Sequence, residues 1–264
     1  MPITIAIAGK GGTGKTTVSA LIIDHLARMK AGSILAIDAD PSTNLNIVLG
    51  VEVEQAIGSE REALVEDIKT GQYNLGLDKQ QYFELMIHES LVEEEAFDLL
   101  AMGRPEGPGC YCAPNHMLRR SIDAIADSYD FVVIDNEAGL EHISRRTTRD
   151  VDLLLAVSDP TVRGLITAQR VFDLVEELGT QIGMAHLLIN RVPVKDGEEL
   201  QLPPELEAKV QELGLPLLGL LPMDAGVARM DILGQPLVDL RLDAPVRQYL
   251  VSVVGKVLPA IKPA

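Results

Sequence analysis

Basic residues are scarce in this chain: 23 Lys and Arg stand against 39 Asp and Glu, a formal charge of −16. An acidic surface of this kind repels phosphate backbones at long range and speaks against a nucleic-acid coating protein. Cysteine is scarcer still, two in 264 residues, which excludes a disulfide scaffold and predicts a cytoplasmic setting. The apolar opening Ile3–Ala8 is short, lacks a basic flank and runs straight into glycines, so it does not read as a targeting sequence. No run of about 18 apolar residues occurs, so no membrane-spanning helix is expected. Repeats, low-complexity linkers and long charge blocks are missing as well, so residues 1–264 read as a single domain. What remains is an ordinary globular mixture, 47% hydrophobic and 23% charged.

Short apolar runs rich in β-branched residues recur at Ile3–Ala8, Ile34–Ile37, Phe97–Ala101, Phe131–Ile134, Leu153–Val157, His186–Ile189 and Leu217–Leu221. Amphipathic stretches lie between most of them, among them Thr16–Met29, Met117–Asp127, Thr161–Leu178 and Pro204–Leu213. Continuous apolar strands alternating with helices predict a doubly wound α/β fold, with a mostly parallel sheet of about seven strands covered by helices on both faces. The acidic segment Gly50–Glu95 departs from this rhythm and predicts two inserted helices. Pro245–Ile261 predicts a packed closing helix.

The sharpest signal is Gly9-Lys10-Gly11-Gly12-Thr13-Gly14-Lys15-Thr16-Thr17, which fits G-x-x-x-x-G-K-[ST] after a strand and before a helix. Gly11, Gly12, Thr13 and Gly14 let the backbone fold tightly, so that N–H groups point inward at phosphate oxygens, and the helix start at Lys15, Thr16 and Thr17 adds its positive end. Lys15 is expected on the β- and γ-phosphates, and the Thr16 hydroxyl on Mg²⁺. Carboxylates at the ends of apolar strands face the ligand crevice of such a sheet. That places Asp40, in Asp38-Ala39-Asp40-Pro41, and Asp135, at the end of Phe131–Ile134, beside the loop.

With its second lysine, Lys10, the loop resembles the deviant P-loop of the MinD/ParA/nitrogenase-iron-protein class of ATPases. The resemblance implies that Lys10 reaches across a homodimer to the partner's nucleotide, neutralising phosphate charge there. It implies that Asp135 holds Mg²⁺ through water and that Asp40 orients or deprotonates the attacking water. It also makes Asn190, after the strand His186–Ile189, the base-recognition residue, with Arg191 and Pro222 beside it. Guanine-specific relatives carry N-K-x-D; Asn190-Arg191-Val192-Pro193 lacks the aspartate, which favours ATP and ADP.

Both cysteines fall in Gly107-Pro108-Gly109-Cys110-Tyr111-Cys112-Ala113-Pro114. Thiols at this spacing can chelate one soft metal, yet they supply only half of a tetrahedral site. Two copies across a two-fold axis would supply four thiolates; a pair of small hydrophobes or a redox pair is the alternative. His116 nearby reads as an accessory ligand or as loop packing. Together with Asp135-Asn136-Glu137-Ala138-Gly139-Leu140-Glu141-His142 and Ser144-Arg145-Arg146-Thr147, the chain resembles the nickel-insertion accessory ATPases of carbon monoxide dehydrogenase, the CooC family. This implies Ni²⁺ or Zn²⁺ on Cys110 and Cys112 of both subunits, and a carbon monoxide dehydrogenase or acetyl-CoA synthase client. The nitrogenase iron protein fits less well, because Asn136–Arg149 holds no cysteine. A MinD/ParA-type positioning ATPase without a metal role is the rival. The acidic charge and the lack of a basic terminal helix speak against its nucleic-acid or stable membrane association. A nucleotide-sensing scaffold without turnover is a third reading, disfavoured by the intact Lys15, Thr16, Asp40 and Asp135.

Overall fold

The computed structural model describes residues 1–58, 79–103, 121–137, 151–178, 182–194 and 197–261. Their strands are β1 (Ile3–Gly9), β2 (Ile34–Asp38), β3 (Leu91–Glu93), β4 (Asp98–Ala101), β5 (Phe131–Asp135), β6 (Val151–Ser158), β7 (Ile182–Val192) and β8 (Leu217–Pro222). They form one sheet in the order β3-β4-β2-β5-β1-β6-β7-β8. All neighbours run parallel except β3, which pairs antiparallel with β4 at the edge. The expected doubly wound sheet is therefore present with eight strands among the described residues, against about seven expected. The additional strand is β3, three residues long, within a segment expected to be helical. Part of that helical expectation holds, since Lys79–Ser90 is a helix. Residues 59–78 lie outside the described residues.

Strand β1 shows why the sheet is covered on both sides. Ile3, Ile5 and Ile7 belong to a cluster with Val18, Leu21 and Ile22 of helix α1 (Lys15–Arg28) and with Val246, Leu250 and Val253 of the closing helix Pro245–Val254. Ala6 and Ala8, pointing the other way, join Leu154, Ala156 and Val171, the last on the helix Val162–Leu178. Alternation with both faces apolar is what a central parallel strand requires.

The closing helix is also tied by charge. Arg247 pairs with Asp24 of α1 in a buried contact and donates from Nη2 to Leu237 O (2.9 Å), while Arg28 Nε reaches the same Asp24 carboxylate (2.8 Å). No helix of the described residues is long and apolar enough to cross a membrane.

Candidate functional site

The C-terminal end of β1 stands between β5 and β6, where the winding of the sheet changes direction and a ligand crevice opens. Gly9 ends the strand so close to β6 that a Cβ there would sit 2.2 Å from Val157 O. The loop then turns through Gly12 (φ 81°) and Gly14 (φ 91°), left-handed conformations that suit glycine. Lys10 O closes the turn, accepting from the Thr13 hydroxyl (2.9 Å) and, more weakly, from the Thr13 N–H (3.4 Å) and Lys15 Nζ (3.5 Å). No side chain caps the first turn of α1, whose N-cap is Gly14. Its free N–H groups and positive end are suited to an anion. Lys10, Gly11 and Gly12 are exposed, whereas Lys15 is folded in at 7% exposure. Burial pushes the Lys15 ammonium below its ordinary range, opposed by the fields of Asp135, Asp40 and Glu137.

Asp135 is 1% exposed. It accepts hydrogen bonds from Ser19 Oγ (3.1 Å) and from the Thr16 hydroxyl. Burial, with the neighbouring Asp38 carboxylate, pushes Asp135 up to about 6, against the pull of those hydroxyls and of Lys15. A carboxylate and a threonine hydroxyl meeting beside a lysine form a donor set suited to a divalent cation carrying phosphates. One residue on, Asn136 donates from Nδ2 to Ile7 O (2.9 Å), while its buried Oδ1 has no donor. That orphaned acceptor fits a water of a hydrated ion.

Asp40 stands half-buried at the turn after β2, its Oδ1 accepting from Ser42 N (2.8 Å). Its field on Lys15 places it near the loop. The organiser of this turn is Asp38, to which the sequence reading assigned no role. Its buried carboxylate accepts from Asp40 N (3.0 Å) and Leu45 N (2.9 Å), holding the turn and the start of the helix Leu45–Leu49. Burial raises its pKa despite those bonds.

A cleft of about 240 Å³ opens on the other side of the loop, lined by Thr17, Asn190, Arg191 and Pro222 together with Met223, Asp224 and Val246. The three residues expected on the purine side and Thr17 are thus brought together. Asn190 is buried at the end of β7 and donates from Nδ2 to Thr13 O (2.9 Å); Arg191 Nη1 donates to Gly12 O (2.8 Å). Asp224, next but one after Pro222, also lines this cleft. It accepts from Gly226 N (2.7 Å) and from Val246 N (3.2 Å), joining the cleft to the helix Ala225–Leu233 and to the closing helix.

Cys110, Cys112, His116 and the stretch Leu140–Arg149 lie outside the described residues. Among the described residues no three His, Cys, Asp or Glu side chains gather as a metal site.

Comparison with known proteins agrees with this geometry. Residues 4–237 match the CobQ/CobB/MinD/ParA nucleotide binding domain. A protein of Methanocaldococcus jannaschii described as an uncharacterized ATP-binding protein is 43% identical over 254 residues, covering 96% of this chain and 98% of its own. The carbon monoxide dehydrogenase accessory protein CooC of Rhodospirillum rubrum is 31% identical over 251 residues, covering 89% of each chain. In fold, the septum site-determining protein MinD from Pyrococcus horikoshii, solved with Mg-ADP, superposes with a TM-score of 0.67 at 22% identity, over 98% of this chain and 97% of that one.

Proposed function

We propose, from the premise that this chain belongs to the CobQ/CobB/MinD/ParA family of P-loop nucleotide-binding proteins, that it is an ATP-driven metallochaperone. It hydrolyses ATP to ADP and phosphate, and its dimer holds Ni²⁺ or Zn²⁺ for insertion into carbon monoxide dehydrogenase or the related acetyl-CoA synthase. What carries the reading is Cys110-x-Cys112 on a P-loop chain that is 31% identical to a CooC protein along 89% of its length.

Within that reading, the N–H groups of Gly11 to Gly14 and of the α1 start cradle the phosphate chain. Lys15 neutralises the β- and γ-phosphates. Thr16 and Asp135 would hold Mg²⁺, which when bound screens the charge of the transferring group. Asp40 orients or deprotonates the attacking water. Lys10, exposed on the loop, reaches the nucleotide of a second copy, so that hydrolysis depends on a homodimer. Asn190 and Pro222 contact the purine. Cys110 and Cys112 from both copies complete a tetrahedral thiolate site for the cargo metal.

The test is metal analysis and sizing of the nucleotide-free, nickel-loaded, zinc-loaded and MgATP-loaded full chain. One metal per two chains is expected, together with metal-promoted dimerisation. Cys110→Ala and Cys112→Ala are expected to lose the metal while keeping MgATP binding. One metal per monomer, or metal retained by Cys112→Ala, overturns the metallochaperone reading and leaves the positioning ATPase. Phosphate release from metal-loaded protein with client, no faster than from Lys15→Ala, overturns the hydrolase.

A further inference from the structure

Arg191 was expected beside the purine, yet its only described hydrogen bond from the guanidinium leads elsewhere, from Nη1 to Gly12 O at 2.8 Å. Its neighbour Asn190 holds the next carbonyl, from Nδ2 to Thr13 O at 2.9 Å. Two consecutive residues at the end of β7 therefore grip two consecutive carbonyls of the phosphate loop. In a trans peptide the N–H lies opposite the C=O. Carbonyls of Gly12 and Thr13 drawn toward β7 accordingly turn the N–H groups of Thr13 and Gly14 away from it. That orientation is the one a phosphate cradle needs.

The backbone of β7 is bent to make this grip. Arg191 has φ 58°, a left-handed conformation that is uncommon for a residue other than glycine, asparagine or aspartate. Its own N–H bonds back to Asn190 Oδ1 (2.9 Å), so the Asn190 amide is engaged at both ends. The approach is so close that a Cβ at Gly14 would lie 2.4 Å from Asn190 Nδ2. A left-handed arginine pressed against a loop that must be glycine at that point is a local geometry held for a purpose.

We propose that Arg191 is a positioning residue of the phosphate loop, acting through the Gly12 carbonyl, and not a residue that reads the purine. The proposal rests on the nucleotide reading above. Without the guanidinium the Gly12–Thr13 peptide keeps the long Thr13 N–H to Lys10 O contact (3.4 Å) but loses the shorter hold on its carbonyl, and a ligand that binds through phosphates must order it again. A ligand that binds through its base alone need not.

Calorimetry on the full chain separates these roles, using MgADP, magnesium pyrophosphate and adenosine as ligands of wild type, Arg191→Ala, Arg191→Gly and Arg191→Lys. Arg191→Ala and Arg191→Gly are expected to weaken MgADP and pyrophosphate by the same factor, about tenfold for one charge-assisted hydrogen bond, and to leave adenosine unchanged. Glycine relaxes the backbone, so an equal loss in Arg191→Gly assigns the effect to the side chain. Arg191→Lys, which keeps one cationic donor, is expected to recover part of it. Adenosine and MgADP falling together with pyrophosphate unchanged would return Arg191 to the purine and overturn the proposal. So would unchanged affinity for all three, or equal loss of all three accompanied by a lowered melting temperature. Wild-type protein that melts cooperatively but binds no MgADP would instead overturn the nucleotide reading itself.

Discussion

At the residue scale, Asp135 carries a conflict between stability and use. Its pKa is raised to about 6, chiefly by burial, so between the ordinary carboxylate range and pH 6 the folded chain holds a proton that the unfolded chain has released. The favourable contribution of the neutral form is thus present below about pH 4 and lost as pH rises through 6. Asp135→Asn removes the buried charge, so the nucleotide-free variant is expected to match wild type near pH 4. It is expected to exceed it by about 1–3 kcal/mol above pH 6, measured by urea denaturation, while losing Mg²⁺-dependent turnover. A gain that is independent of pH would show that the charge is not its source. If Asp135 holds Mg²⁺ as proposed, the same shift is expected to weaken the chain's affinity for MgATP below pH 6, since the cation favours the ionised carboxylate. Much of this site was legible in the sequence because glycine spacing and strand-end carboxylates are local signals. Ser19 on Asp135, Asp38 under Asp40 and Arg191 on Gly12 were not legible. Each joins elements far apart in the chain, or serves the backbone in a way that residue type does not announce.

At the element scale, the strands read best where both faces are buried. Residues 3–8, 34–37 and 131–134 were expected as strands and lie within β1, β2 and β5, because a central parallel strand is apolar throughout. Edges read worse. In β3 no residue is fully buried, and β7 extends well beyond His186–Ile189, with its opening residues only partly buried. A packed closing helix was expected over Pro245–Ile261, and the structure divides that stretch into the helices Pro245–Val254 and Leu258–Ile261; its packing on α1 and the clasp were not legible, since Asp24 and Arg247 are 223 positions apart. Arg247→Ala is expected to cost about 2–3 kcal/mol in chemical denaturation, because it leaves the buried Asp24 carboxylate to the more exposed Arg28 and opens the Leu237 carbonyl. The double variant Asp24→Asn, Arg247→Met removes both charges and is expected to recover at least half of that loss. A single-variant cost no larger than that of a surface pair, below about 1 kcal/mol, would remove the clasp from the account of the fold.

At the scale of the molecule, the cleft gathers α1, the ends of the paired strands β7 and β8, and the closing helix. Thr17 brings in α1, Asn190 the end of β7, Pro222 the end of β8, and Val246 the closing helix, with Asp224 bonded between the last two. A ligand seated there and on the phosphate loop contacts both the β1 and the β8 regions, so it stabilises the native state as a whole by mass action. At one hundred times its dissociation constant, MgADP is expected to add about 2.7 kcal/mol, a melting shift of roughly 5 °C or more for a chain of this size. The base should set the difference between nucleotides. Beyond its bonds to Thr13 O and from Arg191 N, the Asn190 amide keeps one N–H and one oxygen lone pair for a purine edge, but Asn190-Arg191-Val192-Pro193 offers no aspartate to a guanine amine. MgGDP at the same concentration should therefore bind several-fold more weakly and add about 1 kcal/mol less. Lys15→Ala should show neither shift, since both nucleotides need its charge on their phosphates. Melting curves of the two proteins with the two nucleotides decide the matter. Equal shifts for MgADP and MgGDP in wild type would mean that the purine is not read at Asn190, and the assignment of this chain to adenine nucleotides would fall with it.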